Sequence, residues 1–178
     1  SLDVSEREQM KELQRFRASL EASAEAIFLV DRETLRFIDF NETARRMLGY
    51  EREELLALGP PEVIVNAAGE ELGVVYDGML ERAPADPEVR LVRRKDGSLF
   101  PAELVRRAFW SGSERLVVTV LRDISDRIAT QERLKLAYQA LDTIAEGVLV
   151  TDAKGVIVWV NPSFERLTRC PAREAIGH

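Results

Sequence analysis

Acid–base catalysis, metal ligation and nucleophilic attack draw most often on histidine and cysteine, and this chain carries one of each: His178, its last residue, and Cys170. No Ser-His-Asp set and no Cys-His pair can be assembled from that stock, and no metal site is expected. Gly69-Glu70-Glu71-Leu72-Gly73 lacks the Lys-Ser/Thr ending of a phosphate loop and does not follow a clear strand. Carboxylates are numerous but sit in helix-type and linker runs, where a solvated face is the default. Arg90, Arg93, Arg94 and Lys95 form a basic cluster on a strand and turn, read here as solvated surface. These residues predict no enzyme within this stretch.

One motif has positional logic instead. Asp123-Ile124-Ser125-Asp126-Arg127 stands where the apolar, β-type run Leu116 to Leu121 stops and a charged, helix-type run begins. Asp123 is placed to cap the outgoing helix, with Ser125 also near its free N–H groups; such a cap contributes about 0.5–2 kcal/mol. Arg127, four residues on, is placed to pair with Asp123 or with a carboxylate of the domain, worth about 0–1 kcal/mol if exposed. A strand that passes directly into a helix makes a joint, and Asp3-Val4-Ser5-Glu6-Arg7 repeats the pattern near the start. Asp3, Ser5 and Arg7 are thus expected to form an input joint, and Asp123 to Arg127 an output joint.

The elements that must position this joint follow from periodicity. Residues 5–22 read as a helix with a narrow apolar stripe through Met10, Leu13, Phe16 and Leu20, suited to a coiled-coil seam or to lying on a sheet. Ala26 to Val30 and Leu35 to Phe40 form a hairpin. Asn41 caps a short helix ended by Gly49, and Glu51 to Leu58 is another, closed by Gly59-Pro60-Pro61. Glu70 to Glu81 is longer, with Leu72, Val75, Tyr76, Met79 and Leu80 on its apolar face, and Pro84 and Pro87 break it. Three strands follow: Glu88 to Arg94, Leu99 to Trp110 after an Asp96-Gly97 turn, and Arg115 to Arg122. Leu116 to Leu121 is nearly all apolar, so both its faces are expected to be covered, the outer one by the N-terminal helix or a second chain. Residues 124–141 read as a helix, with Leu134, Tyr138 and Leu141 on a rough 3/4 spacing.

The chain has 178 residues, 46% of them apolar, with net charge −6 and a pI near 5.1. The charge argues against a nucleic-acid surface. No apolar run approaches the ~20 residues of a bilayer span, no signal peptide is visible, and a lone cysteine fits a reducing, cytoplasmic compartment. A homodimer, without membrane contact by this stretch, is expected.

A repeat at an offset of about 120 residues then organises the whole. Leu20 to Asp31 matches Leu141 to Asp152; Asn41 and Asn161 each follow a short strand and open a helix; Glu54-Leu55-Leu56 parallels Glu174-Ala175-Ile176. The expected division is an exit motif and linker helix over 1–19, a complete unit over 20–127, a linker helix over 128–140, and the start of a second unit over 141–178. Val148, Val150, Val158 and Val160 of that start are expected to be left exposed, to be held by a second chain.

Taken together, Ala26–Asp31, Asn41 through Gly49-Tyr50, Glu54-Leu55-Leu56, Arg94-Lys95-Asp96-Gly97-Ser98 and Asp123–Arg127, in this order, resemble a PAS domain with its PAC-type C-terminal half, from a tandem signalling protein. The resemblance implies an α+β fold: a five-stranded antiparallel sheet, short helices on one face, and flanking linker helices. It implies a sensory, relay and dimerising module whose partners are adjacent PAS and output domains, such as a histidine kinase or cyclic-dinucleotide domain. No cofactor is identified. Haem bound through histidine is disfavoured, since residues 20–127 contain no histidine, and so is a flavin–cysteinyl adduct, since they contain no cysteine. Strand parity turns Ala102, Leu104, Val117, Thr119 and Leu121 toward the helix-covered face, with Met47, Tyr76 and Leu80 from the helices. That interior reads as a filled core. The functional alternative is a small pocket for an unknown ligand, with Thr119 and Tyr76 as its polar groups. A ligand-free scaffold that sets dimer geometry is the alternative function.

Overall fold

The computed structural model describes residues 4–81 and 86–178. Asp3 of the expected input joint and Pro84 lie outside the described residues. The chain parts into two compact units at Ser125/Asp126.

The first unit opens with α1 (Val4–Glu21), which carries Ser5 and Arg7, and continues through the hairpin β1 (Ala26–Asp31) and β2 (Arg36–Phe40). Four helices follow: α2 (Glu42–Leu48), α3 (Arg52–Leu56), α4 (Pro60–Val63) and α5 (Gly69–Glu81). Then come β3 (Glu88–Arg93), β4 (Leu99–Ser111) and β5 (Glu114–Asp123). The strands form one antiparallel sheet in the order β2-β1-β5-β4-β3, so β5, which runs into the joint, is central. The fold is the expected α+β arrangement.

Alternation along the strands sorts the residues. Ala26, Phe28 and Val30 of β1, Phe100, Ala102 and Leu104 of β4, and Val117, Thr119 and Leu121 of β5 are buried on one face. Ala44, Leu48, Leu55, Val63, Leu72 and Tyr76 come down on them from α2 to α5.

Several expectations need correction. Gly59-Pro60-Pro61 does not merely close a helix; it starts α4, because proline at the first helical position gives up an N–H that has no partner there anyway. Glu62 reaches back to accept the Gly59 N–H at 2.8 Å. Gly59 is required by closeness, since a Cβ there would stand 1.7 Å from the Leu35 carbonyl oxygen. On α5, Val75 is exposed, and the buried stripe runs through Leu72, Gly73 and Tyr76. β5 is less evenly covered than expected: Val118 and Val120, on the outer face, are only half-buried.

The second unit holds most of α6 (Ser125–Thr143), the short hairpin β6 (Leu149–Thr151) and β7 (Ile157–Val160), α7 (Pro162–Thr168) and α8 (Ala172–Ala175). Val150 and Val158 are exposed, but Val160 is buried, because α8 packs against β7. Tyr138 of α6, placed on a seam by its spacing, meets Trp159 in a tilted contact with ring centroids 5.9 Å apart. Among the described residues no helix is long and apolar enough to cross a membrane.

Candidate functional site

The interior of the first unit is nearly full. The gap between sheet and helices measures about 10 Å³ and is walled by Phe28, Phe37, Ile64, Tyr76, Leu104, Thr119 and Leu121, among others. A single water needs about 10–15 Å³, so in this conformation the gap has no room for an organic ligand. Tyr76, Leu104, Thr119 and Leu121 therefore meet at one point. Ala102 and Val117 are buried in the core beside it, Met47 sits half-buried in a surface notch with Arg94 and Asp123, and Leu80 is half-buried on α5.

One group in this interior is unusual. The Tyr76 hydroxyl is buried and has no hydrogen-bond partner among the described residues. Burial pushes its pKa above the usual phenol value, and the neighbouring Arg106 guanidinium pulls the other way. Arg106 occupies the inward row of β4 after Phe100, Ala102 and Leu104, its side chain 5% exposed, and pairs with Glu88. The alternation of Leu99 to Trp110 carries that signal: counting by twos past Leu104 puts a lone cation on the apolar face.

The joint is built on the Asp123 carboxylate, at the end of β5. Its Oδ1 accepts the Ser125 backbone N–H at 2.9 Å and the Ser125 hydroxyl at 2.6 Å, satisfying the first turn of α6. Its Oδ2 accepts from Arg94 at 2.9 Å, whose Nε donates to the Met47 carbonyl and whose guanidinium lies 3.9 Å over the Phe100 ring. Ile124 is buried and donates to the Pro101 carbonyl. Asp123 thus meets Arg94, while Asp126 and Arg127 lie exposed on the first turn of α6. The basic cluster is also not simply solvated: Arg94 holds the joint, Arg90 pairs with Glu88, and Lys95 with Glu54. Sequence spacing favours near neighbours such as Glu88 and Arg90; the Arg94 and Lys95 pairs instead close over 29 and 41 residues.

Asn41 does more than cap α2. Its Oδ1 accepts from Ala44 N at 3.0 Å and from Ile27 N at 3.0 Å, and its Nδ2 donates to the carbonyls of Leu20 and Glu25. The Thr43 hydroxyl donates to the Ser23 carbonyl. One buried amide therefore ties the end of α1 to the first strand and to α2. Asn161 repeats it: Oδ1 accepts from Phe164 N and Val148 N, and Nδ2 donates to the carbonyls of Leu141 and Glu146.

Outside the sheet, α1 and the outer face border an apolar groove of about 350 Å³ walled by Phe16, Leu20, Ile27, Leu29, Phe109 and Val118. Met10, Leu13 and Phe16 of α1 are exposed.

Comparison with known proteins agrees with this architecture. A family model described as PAS domain matches residues 24–126, and one described as PAS fold matches residues 136–178. An uncharacterized protein of Azorhizobium caulinodans is 32% identical over 136 residues, which are 71% of this chain and 18% of that protein. The chain is thus a small part of that relative's length. Among solved structures, the PAS domain of an HTR-like protein from Haloarcula marismortui superposes with a TM-score of 0.58 at 22% identity, covering 67% of this chain and 98% of that one. A domain of the sensory box sensor histidine kinase/response regulator from Geobacter sulfurreducens gives 0.54 at 23%, covering 65% and 96%. At such identities the likeness speaks for the fold.

Proposed function

The chain belongs to the PAS domain family, and from that premise we propose that it is a sensory and relay module, dimerising through its linker helix and outer sheet face, within a longer signal-transduction protein. In this reading residues 1–19 and 128–140 are linkers, 20–127 is the complete unit, and 141–178 begins another. The resemblance to PAS domains of sensor histidine kinases suggests output of that kind elsewhere in the parent.

The observation that carries the reading is the Asp123 carboxylate. It touches the sheet through β5, the helical layer through Arg94 and the Met47 carbonyl, and the outgoing helix through Ser125. A shift of the central strand against α2 must therefore be felt at the first turn of α6. Asn41 holds the incoming helix in the corresponding way, so input and output are each fastened by one side chain. The apolar groove beside α1, with Phe16 exposed at its edge, supports a second copy as the dimer partner.

The test replaces Asp123 with Ala in the full-length parent and measures output with and without stimulus. Uncoupling of output from stimulus is expected; normal, still-regulated output would sink the relay. In the chain itself the same substitution is expected to speed amide exchange across residues 124–130 about fivefold, as for loss of a cap worth about 1 kcal/mol.

The filled interior favours a second reading, a ligand-free scaffold whose task is to set dimer geometry. Native mass spectrometry separates the two: a stoichiometric small molecule on the purified protein supports sensing, and its absence together with a stable dimer supports the scaffold.

A further inference from the structure

By sequence α5 is a weak helix. Gly73 and Gly78 stand in its interior, and each lowers the local helix equilibrium about fivefold against alanine. Val74 and Val75 are β-branched and exposed, so burial does little to offset their stiffness. Packing does not demand Gly78, since a Cβ there would meet nothing within 4 Å. The buried residues of α5 are Leu72, Gly73 and Tyr76. Its hold on the sheet therefore rests on these and on whatever grips its flank.

The grip runs along Gly69, Gly73 and Asp77, spaced by four and so on one face of the helix. A Cβ at Gly69 would stand 3.3 Å from Leu35 Cδ1, and one at Gly73 would stand 3.0 Å from Arg32 Nη2. The turn between β1 and β2 thus lies against this row. Asp77 closes it. Its carboxylate accepts from Arg32 on both oxygens, at 2.8 and 2.6 Å, and from Arg115 at 3.1 Å. Both arginines are mounted on the sheet: the Arg32 backbone N–H donates to the Arg115 carbonyl at 2.9 Å, and Arg115, on β5, also pairs with Glu33 of the turn. Leu35 is held at φ +54, a conformation that a bulky residue keeps only in surroundings that fix it. Two cations on a firm base thus grip one carboxylate on a weak helix.

We propose that Asp77 is a latch: held by Arg32 and Arg115 it keeps α5 shut over the interior, and on release the C-terminal half of α5, with Tyr76, comes off the sheet and unwinds as a local opening. Tyr76 walls the interior gap of about 10 Å³, so this opening is the step that makes room there. The latch also bears on the central strand, because β5 carries Arg115 near its start and Asp123 at its end. The device deepens the sensory reading by naming its moving element, and it rests on that reading for its purpose only. Opening is measured on this chain without any output, so a failed latch leaves the Asp123 relay standing. A working latch beside normal, regulated output from Asp123→Ala does the reverse.

The experiment follows native-state amide exchange by NMR at a series of low urea concentrations. Residues 76–80 are expected to exchange through an opening of lower free energy and smaller urea dependence than the one reported by Val117 to Leu121. Asp77→Asn, which keeps the shape and removes the charge, is expected to speed exchange at 76–80 about fivefold without urea, and Arg32→Gln to do the same. Gly78→Ala, which leaves the latch alone, is expected to slow it about fivefold. Should Asp77→Asn fail to fold, Arg32→Gln decides in its place. Exchange at 76–80 with the free energy and urea dependence of 117–121, or exchange at 76–80 left unchanged by loss of the Asp77 or Arg32 charge, overturns the latch.

Discussion

The turn after β2 and the turn after β7 are built alike and housed differently. Asn41 and Asn161 make the same hydrogen bonds to a strand N–H, a helix N–H and the carbonyls that end the preceding helix, and both are buried. Yet β1 lies between β2 and β5, with Ala26, Phe28 and Val30 buried, whereas among the described residues β6 pairs with β7 alone and is exposed. Among the described residues the same set of bonds is thus seen on a two-stranded hairpin and in a five-stranded sheet. Both sets of bonds lie within short stretches of local sequence, 20–44 and 141–164.

The largest effect tests that likeness directly. Asn41→Ala leaves the buried Ala44 N–H and the half-buried Ile27 N–H without their acceptor, at about 1–3 kcal/mol each. A loss of about 3 kcal/mol is expected, read as faster amide exchange at those residues and earlier melting of the first unit. Asn161→Ala should do the same at Val148 and less at Phe164, whose N–H also reaches the Asn161 backbone carbonyl at 3.1 Å. A large effect at Asn41 with none at Asn161 would break the comparison, because it would show that the clamp draws its strength from the completed sheet.

A difference within the clamp gives a smaller effect. Near Asn41, Ala26 of β1 and Ala44 of α2 are both fully buried. In the second unit the corresponding pair is Gly147 and Phe164, and a Cβ on Gly147 would stand 3.1 Å from the Phe164 Cα. The near atoms are the Phe164 Cα, Cβ and N, so it is a close approach of the chain, not the ring, that leaves little room for a methyl at Gly147. Gly147→Ala is expected to destabilise the second unit by about 1 kcal/mol through overpacking, in part offset by the stiffer unfolded chain. Thermal melting followed at Trp159 would check this, and a raised midpoint would show that the approach leaves room for a methyl after all.

This doubling also explains what the sequence made legible. Asn41 and Asn161, the hairpins and the joint lie within short stretches where caps, turns and alternation are local properties, and these carry most of the architecture. What local reading missed was long-range. Arg94 is drawn to Asp123 from 29 residues away, and Lys95 to Glu54 from 41; nothing in the spacing of a basic cluster announces either partner. Gly59-Pro60-Pro61 reads as a stop or as a start with equal ease until Glu62 is seen to reach back. Arg106 was within reach of strand alternation, but only a folded neighbour shows that Tyr76 stands beside it.

The smallest effect concerns acid, and it distinguishes the two units by charge chemistry where the clamp makes them the same. Glu42, held by a hydrogen bond from Arg45, Glu54 by Lys95, Asp77 by Arg32 and Asp96 by Ser98 all have pKa values drawn below the ordinary carboxylate range, and all belong to the first unit. A carboxylate whose folded pKa is depressed stabilises the fold above its unfolded pKa of about 4, and that contribution is lost as pH falls through the lower folded value. Glu54 and Asp96 are exposed and Glu42 and Asp77 partly so, and solvent screening keeps each contribution small. Amide exchange across pH 6 to about 3, corrected for intrinsic rates, is thus expected to show protection falling modestly around α2, α3 and α5 of the first unit, with a shallower fall around α7. A steeper fall in the second unit would mean that its stability rests on carboxylate pairing after all, and that the shared clamp hides a deeper difference between the two.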